Sequence, residues 1–139
     1  KYGLDYRHGT GHGVGYALNV HEGPQVISYY APVTPSTKMR EGMITSNEPG
    51  LYHQDKYGIR IENLVVNKIK HFEDTTYGQF LEFETLTLCP INLTCIVLDL
   101  LSHDEKAWLN QYHQIVRERL APHLEGDGLN WLNENTQAI

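Results

Sequence analysis

GIRIENLVV, residues 58–66, opens with Ile59 and Ile61 alternating against Arg60 and Glu62. Successive side chains on a strand point to opposite faces, so residues 59–66 read as a strand with one apolar and one polar face. The stretch FLEFETLTLCPI, residues 80–91, starts the same way, with Leu81 and Phe83 against Glu82 and Glu84. Its phase then changes to Leu86 and Leu88 against Thr85 and Thr87. One extra residue, a bulge near Thr85, accounts for such a shift. Upstream, MITSNEPGLY (43–52) reads as a strand interrupted by a Pro-Gly turn, and HQDKYG (53–58) as a turn. QVISYY (25–30) has strand composition, whereas APVTPSTKMREG (31–42), with its two prolines, reads as a loop. Residues 1–24 are glycine-rich and read as loop leading into or out of short strands.

A helix follows with a marked start. Ser102 and Glu105 have the spacing of a capping box. Trp108, Tyr112, Ile115, Val116 and Leu120 fall largely on one helical face, and Pro122 ends the run. A shorter helix over 129–137 is expected after a turn from Gly126 to Gly128. Strands first and helices last give an α+β pattern, an antiparallel β-sheet with C-terminal helices.

The chain has 139 residues, enough for one domain with a core, and a formal net charge of −6. That balance offers no electrostatic footprint for nucleic acid or an anionic membrane. No apolar run is long enough to span a bilayer. Cys89 and Cys95 match neither a zinc pattern nor a redox motif and are expected to be free, partly buried thiols.

The chemistry concentrates elsewhere. GTGHGVGYALNVHEGP, residues 9–24, places His12 and His21 among glycines, with His8 just before. Glycine permits close approach to its backbone, and imidazole binds metals and moves protons near neutral pH. Glu48 lies in SNEPGLY and Glu62 in GIRIENLVV. If these segments pair as neighbouring strands, both carboxylates point to one face. Two adjacent carboxylates resist ionisation unless a cation lies between them. With a histidine they form a hard, oxygen-rich donor set of the kind manganese, zinc, iron or cobalt accept. Glu82 and Glu84, equally acidic and on a strand, are expected to be structural or exposed.

Taken together, HGTGHGVGYALNVHEGP, NEPGLY and GIRIENLVV resemble the catalytic domain of Xaa-Pro aminopeptidases (aminopeptidase P), of the pita-bread metallopeptidase family. LEFETLTLCPI and the helix after it resemble the end of that domain in the longer, cytosolic, eukaryotic-type branch. The resemblance runs in order along the whole chain. It implies a pita-bread fold and removal of the N-terminal residue from peptides with proline in second position. It further implies two divalent metal ions, manganese first with zinc or cobalt as alternatives, a homodimer and a cytoplasmic location. By position, His12, Glu48 and Glu62 would be metal ligands. Glu48 would also be the general base, and Glu62 would bridge both metals. His8 would line the proline-side pocket, and His21 would bind the substrate or its tetrahedral intermediate. Arg60 would contact the substrate side of the site from beside the bridging carboxylate.

The family's metal pair also uses two aspartates upstream of the ligand histidine. Before His12 the chain holds only Asp5, which sits where no ligand is expected. The chain opens on Lys1 in mid-pattern. Residues 1–139 are therefore expected to be the C-terminal portion of a longer catalytic domain, and inactive when isolated. The alternative is a small complete protein that has lost a short leader. Arg7, directly before His8, stands where the family favours an uncharged residue, and by that resemblance it would be expected to alter the mouth of the pocket. Two other functions remain open. One is a prolidase, acting on Xaa-Pro dipeptides. The other is a catalytically inactive pita-bread module that binds peptide or protein.

Overall fold

The computed structural model describes residues 3–17, 19–73 and 76–139. The chain divides into two compact units, residues 1–87 and 88–139. The first contains β1 (Gly11–His12), β2 (Val26–Ile27), β3 (Ile44–Asn47), β4 (Gly50–His53), β5 (Tyr57–Arg60), β6 (Asn63–Lys70) and β7 (Phe80–Thr85). All strand pairs are antiparallel: β1 with β2, β6 between β3 and β7, and β4 with β5.

The expected strand over 59–66 is two strands. β5 ends at Arg60 and β6 begins at Asn63, leaving Ile61 and Glu62 in neither. The cause lies in the segment that faces it. Pro49 has no amide N–H, so it cannot extend the ladder there. Ile61 N–H reaches Pro49 O at only 3.4 Å. Ile59 and Ile61, the expected apolar face, are both exposed. What this unit buries instead is largely polar: Thr45, Ser46, Asn67, Gln25 and Thr10, beside Val65. Buried polar groups need partners. Asn67 Nδ2 donates to Arg40 O at 2.9 Å, and Gln25 Nε2 donates to Ile44 O at 2.9 Å.

The expected bulge near Thr85 does not form; β7 ends there. Leu86 N–H makes a last rung to Leu64 O at 2.8 Å. Thr87 then terminates the ladder with its own groups. Its Oγ1 accepts from Leu64 N–H at 2.9 Å, and its carbonyl accepts from Asn63 Nδ2 at 2.9 Å. The phase change in the sequence is thus a strand end, after which Leu88 serves the second unit's core. Glu82 and Glu84 are half-exposed and pair with Lys70 and Lys68, as structural acidic residues do. The strand expected over 25–30 is confined to Val26–Ile27.

In the second unit, Ser102 caps α1 (His103–Leu120) with both bonds of the capping box present. The Ala121–His123 segment forms a short 3-10 turn containing Pro122, and α2 follows over Gly126–Asn135. The second helix therefore starts earlier than expected and takes in the two glycines read as a turn. The buried face of α1 is Leu109, Tyr112, His113 and Val116, spaced i, i+3, i+4, i+7. Trp108 and Ile115, assigned to that face from the sequence, are exposed. Tyr112, Val116 and Leu132 form the core, packed by Leu88, Ile91, Leu120, Ala121 and Leu124. Cys89 and Cys95 are free, as expected, but exposed rather than partly buried.

His113 is fully buried in this unit. Ile91 N–H donates to its Nε2 at 3.0 Å, so the neutral ring carries its proton on Nδ1, which has no hydrogen-bond partner among the described residues. Burial first, and the nearby Arg117 guanidinium, hold this imidazole below its ordinary value of 6.5. The unfolded chain then binds the proton more readily than the folded one. Stability is complete above 6.5 and falls as the pH drops through the folded-state value. Thermal melts from pH 7.5 to 5 are expected to show a falling Tm, and His113→Gln is expected to flatten that slope.

Candidate metal centre

The site is organised by one hairpin register. Asn47 pairs with Asn63 and Gly50 with Arg60, which puts Glu48 opposite Glu62 and Pro49 opposite Ile61. The expectation that both carboxylates share a face is met at this break in the ladder. Arg60 lies between them, its Nε 3.0 Å from Glu62 Oε2 and 4.0 Å from Glu48 Oε2. Its second donor, NH1, bonds the Tyr52 hydroxyl at 3.3 Å. That hydroxyl, and then Glu62, hold the Arg60 guanidinium above its usual range. Tyr52 lies so close over the hairpin that a Cβ at Gly50 would meet its hydroxyl at 2.7 Å, and one at Gly58 its ring at 2.7 Å.

His12 comes from the glycine-rich loop, which runs along β3. Val14 N–H donates to Ile44 O at 3.0 Å, Glu48 N–H to Thr10 O at 2.7 Å, and His12 N–H to Ser46 Oγ at 3.0 Å. The imidazole Nδ1 is 3.0 Å from Gly13 O, a pure acceptor, so Nδ1 bears a proton. Nε2 faces Glu48 Oε1 at 3.0 Å. A carbonyl holding the Nδ1 proton, which leaves Nε2 as the lone-pair nitrogen, is the usual arrangement of a ligating histidine. Two donors bound to one ion at about 2.0–2.2 Å are spaced by about 3 Å when they are adjacent ligands. Ser46, fully buried, donates to the same Glu48 oxygen at 2.9 Å and fixes it.

His21 lies beside His12, their ring centroids 4.2 Å apart. Contacts therefore join His21, His12, Glu48, Arg60 and Glu62. His8 stands apart: its Nδ1 is 2.7 Å from Gly9 O, and its Nε2 lies by the Gly50 backbone, 3.0 Å from O and 3.2 Å from N. It meets the others through Tyr52, whose ring centroid is 5.5 Å away. The nitrogen of His12 and the carboxylate of Glu48 are spaced as two ligands of one metal ion, and the Glu62 carboxylate stands across the hairpin. Among the described residues no group of three or more His, Cys, Asp and Glu could hold an ion alone. Ser46 and Tyr52 carried no signal in the sequence, because a serine and a tyrosine on strands are ordinary until their partners are known.

Residues 1–68 match the model described as metallopeptidase family M24, and residues 79–139 the one described as the C-terminal region of peptidase M24. A probable Xaa-Pro aminopeptidase P of Coprinopsis cinerea is 49% identical over 99% of this chain and 22% of that protein. Aminopeptidase P2 of Arabidopsis thaliana is 50% identical over 100% of this chain and 20% of that protein. Among solved structures, X-prolyl aminopeptidase from Caenorhabditis elegans, described as a cytosolic enzyme with a di-nuclear active site, superposes with a TM-score of 0.83. It is 41% identical and is matched over 99% of this chain and 22% of its own. The chain thus spans about a fifth of the length of the curated relatives it matches. The likeness bears out the pita-bread, α+β fold expected from the sequence.

Proposed function

The chain belongs to metallopeptidase family M24, and on that premise we propose that the full-length protein is an Xaa-Pro aminopeptidase. It would remove the first residue from peptides with proline second. The observation that carries this reading is the His12 Nε2–Glu48 Oε1 approach at 3.0 Å, with Glu62 directly across the hairpin. Residues 1–139 are then the C-terminal portion of the catalytic domain. The remaining metal ligands come from the length of the relatives that this chain does not span. The names of the relatives support the substrate class, and the di-nuclear site described for the C. elegans enzyme supports two ions. The carboxylate-rich donor set favours manganese over softer metals, with zinc and cobalt as alternatives.

His12, Glu48 and Glu62 would hold metal ions, and ions held there would supply a water acidified at neutral pH. Glu48 would take that water's proton and return it to the departing proline nitrogen. His21 donates to the oxygen that becomes negative as the carbonyl is attacked. Arg60 keeps Glu62 ionised and oriented and meets the substrate side of the site, and His8 lines the proline side.

The cytosolic description of the C. elegans relative supports a cytoplasmic location, and among the described residues no helix is long and apolar enough to cross a membrane. Exposed Trp108, Ile115 and Trp131 support a homodimer, which light scattering on the full-length protein checks; a monomer overturns it.

The test is hydrolysis of an Xaa-Pro-Xaa peptide by the full-length protein, after chelation and again with manganese restored. Metal-dependent release of the first residue is expected, with only background release by residues 1–139 alone. Cleavage of dipeptides alone points to a prolidase. Absence of cleavage with metal bound points to a binding module.

A further inference from the structure

A cleft of about 490 Å³ lies between residues 3–8 and the β4–β5 hairpin, on the side of His8 away from His12 in sequence. That volume is in the range of small-ligand sites. His8, whose Nε2 accepts from Gly50 N–H at 3.2 Å, ties its two walls together. Tyr6, Tyr52 and Tyr57 supply flat, half-apolar surface. Arg7 also lines the cleft, and it has no hydrogen-bond or ion-pair partner among the described residues. The carboxylate nearest in sequence, Asp5, accepts from Tyr6 N–H at 2.9 Å and does not pair with Arg7. The other titratable side chains lining the cleft include His8 and His53. An unpaired guanidinium in a tyrosine-walled cleft suits a carboxylate, which it can grip with two parallel N–H donors.

We propose that this cleft holds the part of the peptide beyond its proline, and that Arg7 selects a carboxylate there. This rests on the peptidase reading, because His8 is the proline-side residue and the cleft begins at His8. The carboxylate has two sources: the main-chain terminus of a short peptide, or an acidic side chain after proline.

The test is calorimetric binding to the full-length protein of peptides that begin with proline and so have no bond to cleave before it. Pro-Ala against Pro-Ala amide reads the main-chain terminus, and Pro-Glu amide against Pro-Gln amide reads the side chain. One acidic member is expected to bind about tenfold more tightly than its neutral twin. Arg7→Gln is expected to erase that preference, and Arg7→Lys to retain part of it. Arg7 is exposed and has no partner among the described residues, so all three proteins are expected to share one Tm. Equal binding of acidic and neutral twins, no binding of either, or an unchanged preference in Arg7→Gln overturns the proposal. Hydrolysis of Ala-Pro-Gln amide by the unmodified protein is measured alongside. Its failure with Arg7-dependent binding intact counts against the peptidase reading alone.

Discussion

Glu48→Gln in the full-length protein lowers kcat for an Xaa-Pro peptide by about a thousandfold or more, within the span expected for loss of a positioned acid–base group. Two functions disappear in one substitution. The amide carries no charge for a metal ion or for His12, whose Nε2 lies 3.0 Å from Glu48 Oε1. It also takes no proton. The fold should survive, because Ser46 Oγ can still donate to the amide oxygen as it does to Glu48 at 2.9 Å. Steady-state kinetics with a thermal melt check both halves. Turnover within about tenfold of the unmodified protein, at equal Tm, removes Glu48 from the role of base.

Gly13→Ala should be the most damaging substitution of a small residue. A Cβ there would lie 2.0 Å from the backbone oxygen of Glu22 and 3.0 Å from the Gln25 side chain. The oxygen cannot swing aside, since that segment is pinned by Glu22 N–H to Gly13 O and Gly13 N–H to Gln25 O, both at 2.9 Å. The loop must open, at a cost of about 3 kcal/mol, the upper end of overpacking penalties. Because Gly13 O also fixes His12 Nδ1, metal affinity should fall with stability. Gly128→Ala is the control. It lies in α2 with only Leu124 Cδ2 nearby, at 3.7 Å, and should gain up to about 1 kcal/mol of helix propensity. Denaturant unfolding of the two variants, with equal losses in both, would contradict this account of the loop.

What could be read from the sequence was local. Ser102 and Glu105 announce α1 because a capping box needs only neighbouring residues. Alternation at Ile59–Glu62 announces a strand, but not its break, because the cause is Pro49 in the facing segment between β3 and β4. The start of α2 was hidden by Gly126 and Gly128, whose composition favours a turn while packing of Leu132 makes a helix. Leu86 and Leu88 looked like a strand out of phase because each belongs to a different unit. In the site, opposition of Glu48 and Glu62 followed from pairing alone. The approach of His12 to Glu48 did not, since it depends on a loop laid along β3 by bonds to Ile44 and Ser46. The roles of His8 and His21 came only through resemblance, as neither histidine pairs with a carboxylate among the described residues.

The central claim is that this chain supplies His12, Glu48 and Glu62 to a two-metal centre. Metal content of the full-length protein, dialysed against manganese and measured by elemental analysis, tests it most directly against the His12→Ala and Glu62→Gln variants. Two ions per chain are predicted for the unmodified protein, with fewer than two and loss of Xaa-Pro hydrolysis in each variant at unchanged circular dichroism. Two ions retained in both variants, with hydrolysis intact, would contradict it.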